Sequence, residues 1–357
     1  MDMLNKHGLV ALERESLRDS KFKVVSLFDT TKGSRYHQMV NQGLIAHPDV
    51  VPVFQESVTS FDGVIADPVD NQSDLIHQMT LADIILFPGI QHYRFPQALL
   101  GGIERYRLWN KCVTYDFSDG EHISDVFLQR CNMYIKRTSK AALEPEEVPN
   151  GRILHLPYGP LYEYVEPVDY LRDERDIDIA FLMTPDPTSP TQVSRQATYN
   201  ALTDLAKTQE FQKFNISIGQ EAHDGRRAII DHPDSPDNAF RRYMDKLHRA
   251  KIIVTVQPDH LGGDSRLWEA LLSGAVVVSN DLGGQKLGLV DGNHYMSFNP
   301  HGDIQEFKAL LLALLHDVEA AVTRHTIAMN GRNHVLQHHM PPDRVETILK
   351  YTAAKWR

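Results

Sequence analysis

The residues best suited to do chemistry lie in one segment, where Arg266 and Glu269 are three residues apart at the start of a predicted helix. A glycine-containing loop precedes them and follows an apolar run typical of a buried strand. Residues three apart share a helix face, so both side chains can contact one ligand. A cation in a first helical turn is unfavourable unless an anion lies beside it. The spacing predicts either a diphosphate on Arg266 with ribose hydroxyls on Glu269, or an ordinary surface ion pair.

The elements around this pair indicate how it would face a ligand. Asp264 and Ser265 are suited to cap the helix, and Gly274 ends it before the next apolar strand. In an open parallel sheet, ligands bind beyond the carboxyl ends of the strands, where helix amino termini point. Free N–H groups and the positive end of the helix dipole therefore predict an anion site suited to phosphate.

Alternating apolar runs and helical stretches along the chain predict an α/β protein with two lobes. Five buried-strand patterns precede residue 165 and four lie between 177 and 279. Continuous apolar runs of this length are typical of parallel strands that are covered on both faces. A charged stretch near 165–176 predicts a linker between an amino-terminal lobe, 1–168, and a carboxyl-terminal lobe, 169–340.

Composition excludes several classes of protein. The 357 residues are 42% hydrophobic and 24% charged, which excludes collagen, coiled coils and bulk disorder. The longest apolar run, 309–315, is far shorter than the roughly 20 residues of a membrane span. The net charge of −10 argues against nucleic acid as a partner. With two cysteines and no signal-peptide pattern, we expect a soluble, cytoplasmic protein.

Residues 251–281 resemble the carboxyl-terminal lobe of GT-B glycosyltransferases. The shared pattern is an apolar strand, a glycine-containing loop, Arg-x-x-Glu-Ala-x-x-Ser-Gly and a second apolar strand. It recurs in group-1-like and exostosin-like enzymes and in phage DNA β-glucosyltransferases. The resemblance implies two Rossmann-like lobes with an interlobe cleft, and a helix at 341–357 that crosses back to the first lobe. It also implies that Arg266 binds the donor diphosphate and Glu269 the donor ribose.

The resemblance implies further donor-binding residues at the starts of two helices. Gly263, Asp264 and Ser265 lead into the helix of the motif. In the first loop of the same lobe, Arg195 is the best match to a basic residue that faces the diphosphate, and Thr184 supplies a hydroxyl. A solvated arginine at a helix start is the alternative interpretation of Arg195.

A strand of the first lobe ends in a segment that contains Asp116, Asp119 and His122. Inverting transfer needs a carboxylate or a histidine that removes the proton of the acceptor hydroxyl. The strand followed by Phe-Ser-Asp is similar to the phage DNA glucosyltransferases, whose Phe-Thr-Asp supplies the base. That similarity implies Asp119 as the base, with Asp116 and His122 as substitutes. Turn formation by the Asp-Gly pair is the alternative.

Four other residues follow predicted strands of the first lobe and would face the cleft of a GT-B protein. They are Lys32, Gly33, Ser34 and Tyr158, and the GT-B interpretation places them near the acceptor or the donor sugar. The loop at 30–34 lacks the spacing of a nucleotide triphosphatase phosphate loop, so that activity is not predicted.

The resemblance leaves stereochemistry open and requires no metal ion. Many retaining members carry a second glutamate eight residues before the first, where this chain has Leu261. Arginines and a helix dipole can do the work of a metal ion at the diphosphate, so we expect neither metal nor cofactor. His334 and His338 lie four apart but lack the glutamate of a zinc-protease motif.

The sequence therefore predicts transfer of a sugar from a nucleotide-diphosphate donor to a carbohydrate or other hydroxyl acceptor. Two alternatives share the donor lobe. A nucleotide-sugar epimerase would turn the donor into an isomer without an acceptor. A non-catalytic nucleotide-sugar-binding protein would bind nucleotide and consume no donor.

Overall fold

The computed structural model describes most of the chain as two compact units. The described residues are 21–28, 35–55, 58–59, 65–66, 71–89, 97–117, 123–137, 153–165, 175–183, 193–219, 239–257, 264–282, 287–316 and 318–353. Those between 21 and 162, together with 339–353, form the amino-terminal unit, and Glu163–His338 contains the carboxyl-terminal unit. Each unit has its own parallel sheet, so the predicted α/β class is confirmed.

The amino-terminal unit is built on a six-stranded parallel sheet in the order β2–β1–β5–β6–β7–β8. Its elements are β1 (Phe22–Ser26), α1 (Arg35–Ala46), β2 (Val50–Phe54), β3 (Val58–Thr59), β4 (Ile65–Ala66), α2 (Gln72–Leu81), β5 (Ile84–Pro88), α3 (Gln97–Arg105), β6 (Cys112–Asp116), α4 (Asp125–Arg130), β7 (Met133–Lys136) and β8 (Ile153–His155). Strands β3 and β4 form a separate antiparallel pair. The five strands predicted in this unit are all present.

The carboxyl-terminal unit is built on a five-stranded parallel sheet in the order β10–β9–β11–β12–β13. Its elements are β9 (Ile177–Phe181), α5 (Val193–Ala206), β10 (Ile216–Ile218), α6 (Ala239–Arg249), β11 (Ala250–Thr255), α7 (Ser265–Leu272), β12 (Val276–Ser279), β13 (Met296–Ser297), α8 (Ile304–Leu315) and α9 (Val318–His338). Buried residues of β9, β11 and β12 pack with Phe307 and Leu311 of α8 to form its core.

The sequence did not predict β2, the β3–β4 pair, α4 or β13. Strand β2 lies at the sheet edge, and its Pro52 interrupts the apolar pattern that marks a strand. An edge strand tolerates proline because one side of it forms no ladder hydrogen bonds. The other missed elements have two to six residues, too few to show a hydrophobic period.

The order of strands in the second sheet fixes where a ligand site can form. The chain passes from β9 to β10 on one side and then to β11 on the other, so β9 and β11 are neighbours at a topological switch point. Connections leave such neighbours toward opposite faces and open a crevice at their carboxyl ends. Helix α5 follows β9 and α7 follows β11, which brings the starts of both helices to this edge.

The last described helix, α10 (Pro341–Ala353), belongs to the amino-terminal unit and packs on α1. His47, just after α1, lies 2.8 Å from the carboxylate of Glu346. Gly43 of α1 faces the carbonyl oxygen of Pro341, and a Cβ atom at this position would overlap that oxygen. Glycine therefore permits the close approach of the two helices.

We expect Gly43→Ala to lower the free energy of unfolding by about 1–3 kcal/mol, because the added methyl group overpacks the contact with α10. Urea denaturation measures the change. Gly101→Ala in α3 is the matched control, since among the described residues no atom lies within 4 Å of its added Cβ. That change should stabilise by about 0.5–1 kcal/mol. Equal effects of both substitutions would contradict the packing of α10 on α1.

Candidate functional site

Three charged side chains meet at the switch point of the carboxyl-terminal sheet. Arg195 lies in the first turn of α5, Asp264 directly precedes α7, and Arg266 lies in the first turn of α7. Nη2 of Arg195 is 3.4 Å from Asp264 Oδ2, and Nη1 of Arg266 is 3.2 Å from the same oxygen. The structure thus brings together residues that the sequence placed in two separate loops.

Asp264 has the backbone conformation of a helix cap, but its side chain makes no capping hydrogen bond to α7. Its carboxylate turns to the two arginines instead, and Oδ1 accepts a 3.3 Å hydrogen bond from the Ser265 hydroxyl. The predicted helix start, with Asp264 at the cap position, is confirmed, although its side chain does not bond to the helix. The reason is electrostatic, because two guanidinium groups attract the carboxylate more strongly than a neutral N–H does.

The electrostatics of this cluster favour a bound anion. Two positive side chains share one negative side chain, and two helix amino termini add partial positive charge. The Arg195 side chain is 9% exposed and that of Arg266 is 31% exposed, so Arg266 is the more accessible cation. Guanidinium groups and helix amino termini are the two protein features best matched to phosphate oxygens.

Glu269 lies one turn farther along α7 and is 1% exposed. Its Oε2 accepts a 2.6 Å hydrogen bond from the hydroxyl of Tyr243 on α6. This contact orients the carboxylate. Tyr243 was not found from the sequence, since the two residues lie on different helices and no local spacing connects them. The contact of Glu269 with a ribose stays a prediction.

Gln257 and Asn280 complete the carboxyl edge of the sheet. Gln257, which follows β11, donates its backbone N–H to Asn280 Oδ1 at 2.8 Å, and its side-chain Oε1 accepts the backbone N–H of Asp264 at 2.7 Å. Gln257 was not found from the sequence, although a polar residue directly after an apolar strand marks this position. Gly263 and Thr184 lie outside the described residues.

In the amino-terminal unit, Asp116 at the end of β6 belongs to a buried network. Its Oδ2 is 2.9 Å from Lys136 Nζ and accepts a 2.6 Å hydrogen bond from the Tyr134 hydroxyl. All three residues are at most 2% exposed. Burial, and then the hydrogen bond to Asp116, raise the pKa of Tyr134, so this hydroxyl stays protonated and donates.

The role of Asp116 as a substitute base stays a prediction. Its carboxylate oxygen Oδ2 already contacts the Lys136 ammonium group and the Tyr134 hydroxyl. Asp119 and His122 lie outside the described residues, as do Lys32, Gly33 and Ser34.

Tyr158 supports the same sheet edge from within the unit. It is 1% exposed, and its hydroxyl donates to the Phe117 carbonyl oxygen at 2.9 Å. The guanidinium of Arg137 lies 4.0 Å from the centre of its ring, and Nη2 of Arg344 donates to its carbonyl oxygen at 3.1 Å. These contacts hold Tyr158 in place within the unit, and its place near the acceptor or the donor sugar stays a prediction.

Among the described residues, no three His, Cys, Asp or Glu side chains are arranged to hold a metal ion. His334 stacks on His294 with ring centroids 4.7 Å apart, and its Nε2 lies 3.0 Å from the Leu287 carbonyl oxygen. Within the same described ranges, none of the helices has the length and apolarity to span a membrane.

Comparison with known proteins supports the sequence resemblance. Residues 205–350 match a family described as glycosyl transferase-like, and this range includes α7 with Arg266 and Glu269. A search of curated proteins finds no significant match.

The chain is also similar to solved structures over most of its length. HepE from Anabaena, solved with UDP and glucose, is 14% identical at a TM-score of 0.53, with 93% of this chain and 100% of HepE covered. A glycosyltransferase from Rickettsia africae is 10% identical at 0.52, with 93% and 98% covered. Sucrose-phosphate synthase from Thermosynechococcus elongatus is 12% identical at 0.50, with 94% and 99% covered. The GT-B fold, with two Rossmann-like lobes, and the resemblance to GT-B glycosyltransferases are confirmed.

Asp116→Asn should lower the free energy of unfolding by about 3–5 kcal/mol, because it removes the carboxylate that pairs with the buried Lys136 at 2.9 Å. Urea denaturation of Asp116→Asn, Lys136→Met and the double variant measures the coupling. We expect the double variant to regain much of the loss.

The control for this cycle is Asp204→Asn, which breaks a pair with Lys207 whose side chains are 67% and 70% exposed. Exposed pairs contribute about 0–1 kcal/mol. A loss in Asp116→Asn no larger than in this control would contradict a structural role for Asp116.

Proposed function

We propose that this protein is a glycosyltransferase that moves a sugar from a nucleoside-diphosphate donor to a hydroxyl acceptor. The observation that carries the proposal is the convergence of Arg195 and Arg266 on one carboxylate at the switch point of the carboxyl-terminal sheet. The glycosyl transferase-like family match covers the segment of Arg266, and the structurally similar HepE has also been solved with UDP-glucose. Both findings support a nucleotide-sugar donor.

The donor roles follow from charge. As the bond between the anomeric carbon and the diphosphate oxygen breaks, negative charge grows on the diphosphate. Arg266, with Arg195 and the amino termini of α5 and α7, stabilises that charge without requiring a metal ion. Asp264 positions the two guanidinium groups, and Glu269, oriented by Tyr243, accepts the ribose hydroxyls.

On the acceptor side, Asp119 removes the proton of the hydroxyl that attacks the anomeric carbon. Direct attack on the face opposite the diphosphate inverts the configuration at that carbon. The acceptor is a carbohydrate or another hydroxyl compound, because the net charge of −10 disfavours DNA and RNA. We place the reaction in the cytoplasm, where the buried thiols of Cys112 and Cys131 stay reduced.

UDP should raise the melting temperature of the wild type, because a ligand that binds the native state stabilises it by about 2.7 kcal/mol at a concentration 100 times its Kd. GDP, ADP and dTDP, tested in parallel, identify the preferred base. Arg266→Ala and Glu269→Ala should each lose most of the rise. Lys207→Ala, at an exposed position after α5, should keep it. No rise in the wild type with any of the four nucleotides at millimolar concentration would contradict the proposed donor site.

Asp119→Asn should reduce sugar transfer by about 100- to 10,000-fold, the usual contribution of a general base, while nucleotide binding is retained. The assay incubates UDP-glucose with a panel of sugar acceptors and follows product by mass spectrometry and anomeric configuration by NMR. Asp125→Asn, an exposed acid in the same unit, is the control.

Two outcomes of this assay would favour the alternatives. Isomerised donor in the absence of acceptor would indicate an epimerase. Nucleotide binding without any donor consumption would indicate a binding protein.

A further inference from the structure

Hydrogen bonds hold both the backbone and the side chain of Gln257 in place. It is 1% exposed at the carboxyl end of β11. Its backbone N–H donates to Asn280 Oδ1 at 2.8 Å, and its side-chain Oε1 accepts the backbone N–H of Asp264 at 2.7 Å. The side chain therefore bridges the strand end and the start of α7.

The other atom of the same amide, Nε2, is buried and has no hydrogen-bond partner among the described residues. A buried donor without a partner is unfavourable, and native structures rarely keep one without a reason. Rotation of the amide by 180° does not remove the problem. It would place the NH2 group against the N–H of Asp264, donor against donor. The orientation of the amide is therefore set by Asp264, and Nε2 stays available beside the start of α7.

The neighbouring groups indicate what would satisfy Nε2. Arg195 and Arg266 contribute only donors, and the amino terminus of α7 also presents donors. Asp264 is the acceptor shared by the two arginines. A ligand that only accepts hydrogen bonds fits such a set better than a hydroxyl or a base edge, both of which can also donate. Phosphate oxygens have this property.

We propose that Nε2 of Gln257 donates a hydrogen bond to a phosphate oxygen of the bound nucleoside diphosphate. This inference rests on the proposed function and adds a donor-binding residue to it. Gln257 then has two roles in one amide, since Oε1 holds the start of α7 and Nε2 binds the anion there. Binding of the diphosphate supplies the partner that the buried amide lacks.

Two substitutions separate these roles. Gln257→Glu keeps an oxygen acceptor for the Asp264 N–H and replaces the NH2 group by oxygen, whereas Gln257→Met removes both polar atoms. Calorimetric titration with UDP measures affinity, and ligand-observed NMR measures binding of uridine, which has no phosphate. Both variants should bind UDP about 10- to 100-fold more weakly, the loss expected for a hydrogen bond to a charged group. Uridine binding should not change. Gln212→Met, at an exposed position after α5, is the matched control and should bind UDP like the wild type.

Each other outcome overturns the inference. Normal UDP affinity in Gln257→Glu would mean that only the bond to Asp264 matters. Normal UDP affinity in Gln257→Met would mean that any loss of affinity in Gln257→Glu comes from repulsion between the new carboxylate and the diphosphate. Equal loss for UDP and uridine would place the contact away from phosphate. If the wild type and both variants bind UDP with the same affinity, only the role of Gln257 is refuted. If the wild type binds no nucleoside diphosphate, the proposed function is refuted as well.

Discussion

The attraction of two guanidinium groups to one carboxylate organises the candidate site. Helices α5 and α7 follow different strands, and each has an arginine in its first turn. Two such cations repel each other, and each opposes the dipole of its own helix. The carboxylate of Asp264 contacts both guanidinium groups and offsets that repulsion. The arrangement holds two guanidinium groups at the carboxyl edge of the sheet, where a bound anion could contact them.

The buried network of the amino-terminal unit shows the contrast between a structural ion pair and a binding cluster. Lys136 and Asp116 form an ion pair that is buried from solvent. In the described part of the arginine cluster, two guanidinium groups face one carboxylate, and Arg266 is partly exposed. Exposure to solvent, more than residue type, distinguishes the two clusters.

How well these features can be predicted from the sequence depends on how far apart in the chain the interacting residues lie. Periodic apolar runs predicted the central strands and the helix of Arg266, because burial on both faces leaves a local pattern. The contact of Tyr243 with Glu269 and that of Gln257 with Asp264 join residues from different elements, and no local period encodes them. The Asp264 side chain shows the limit from the other direction. Its type and position are those of a helix cap, and tertiary charge overrides that local preference.

The return of α10 to the first unit has a consequence for the order of events during synthesis. The described residues of the carboxyl-terminal unit all lie within Glu163–His338. The amino-terminal unit is translated first, yet the face of α1 around Gly43 stays uncovered until residues 339–353 exist. Among the described residues, the amino-terminal unit therefore acquires its last helix only after the stretch that holds the carboxyl-terminal unit has been made.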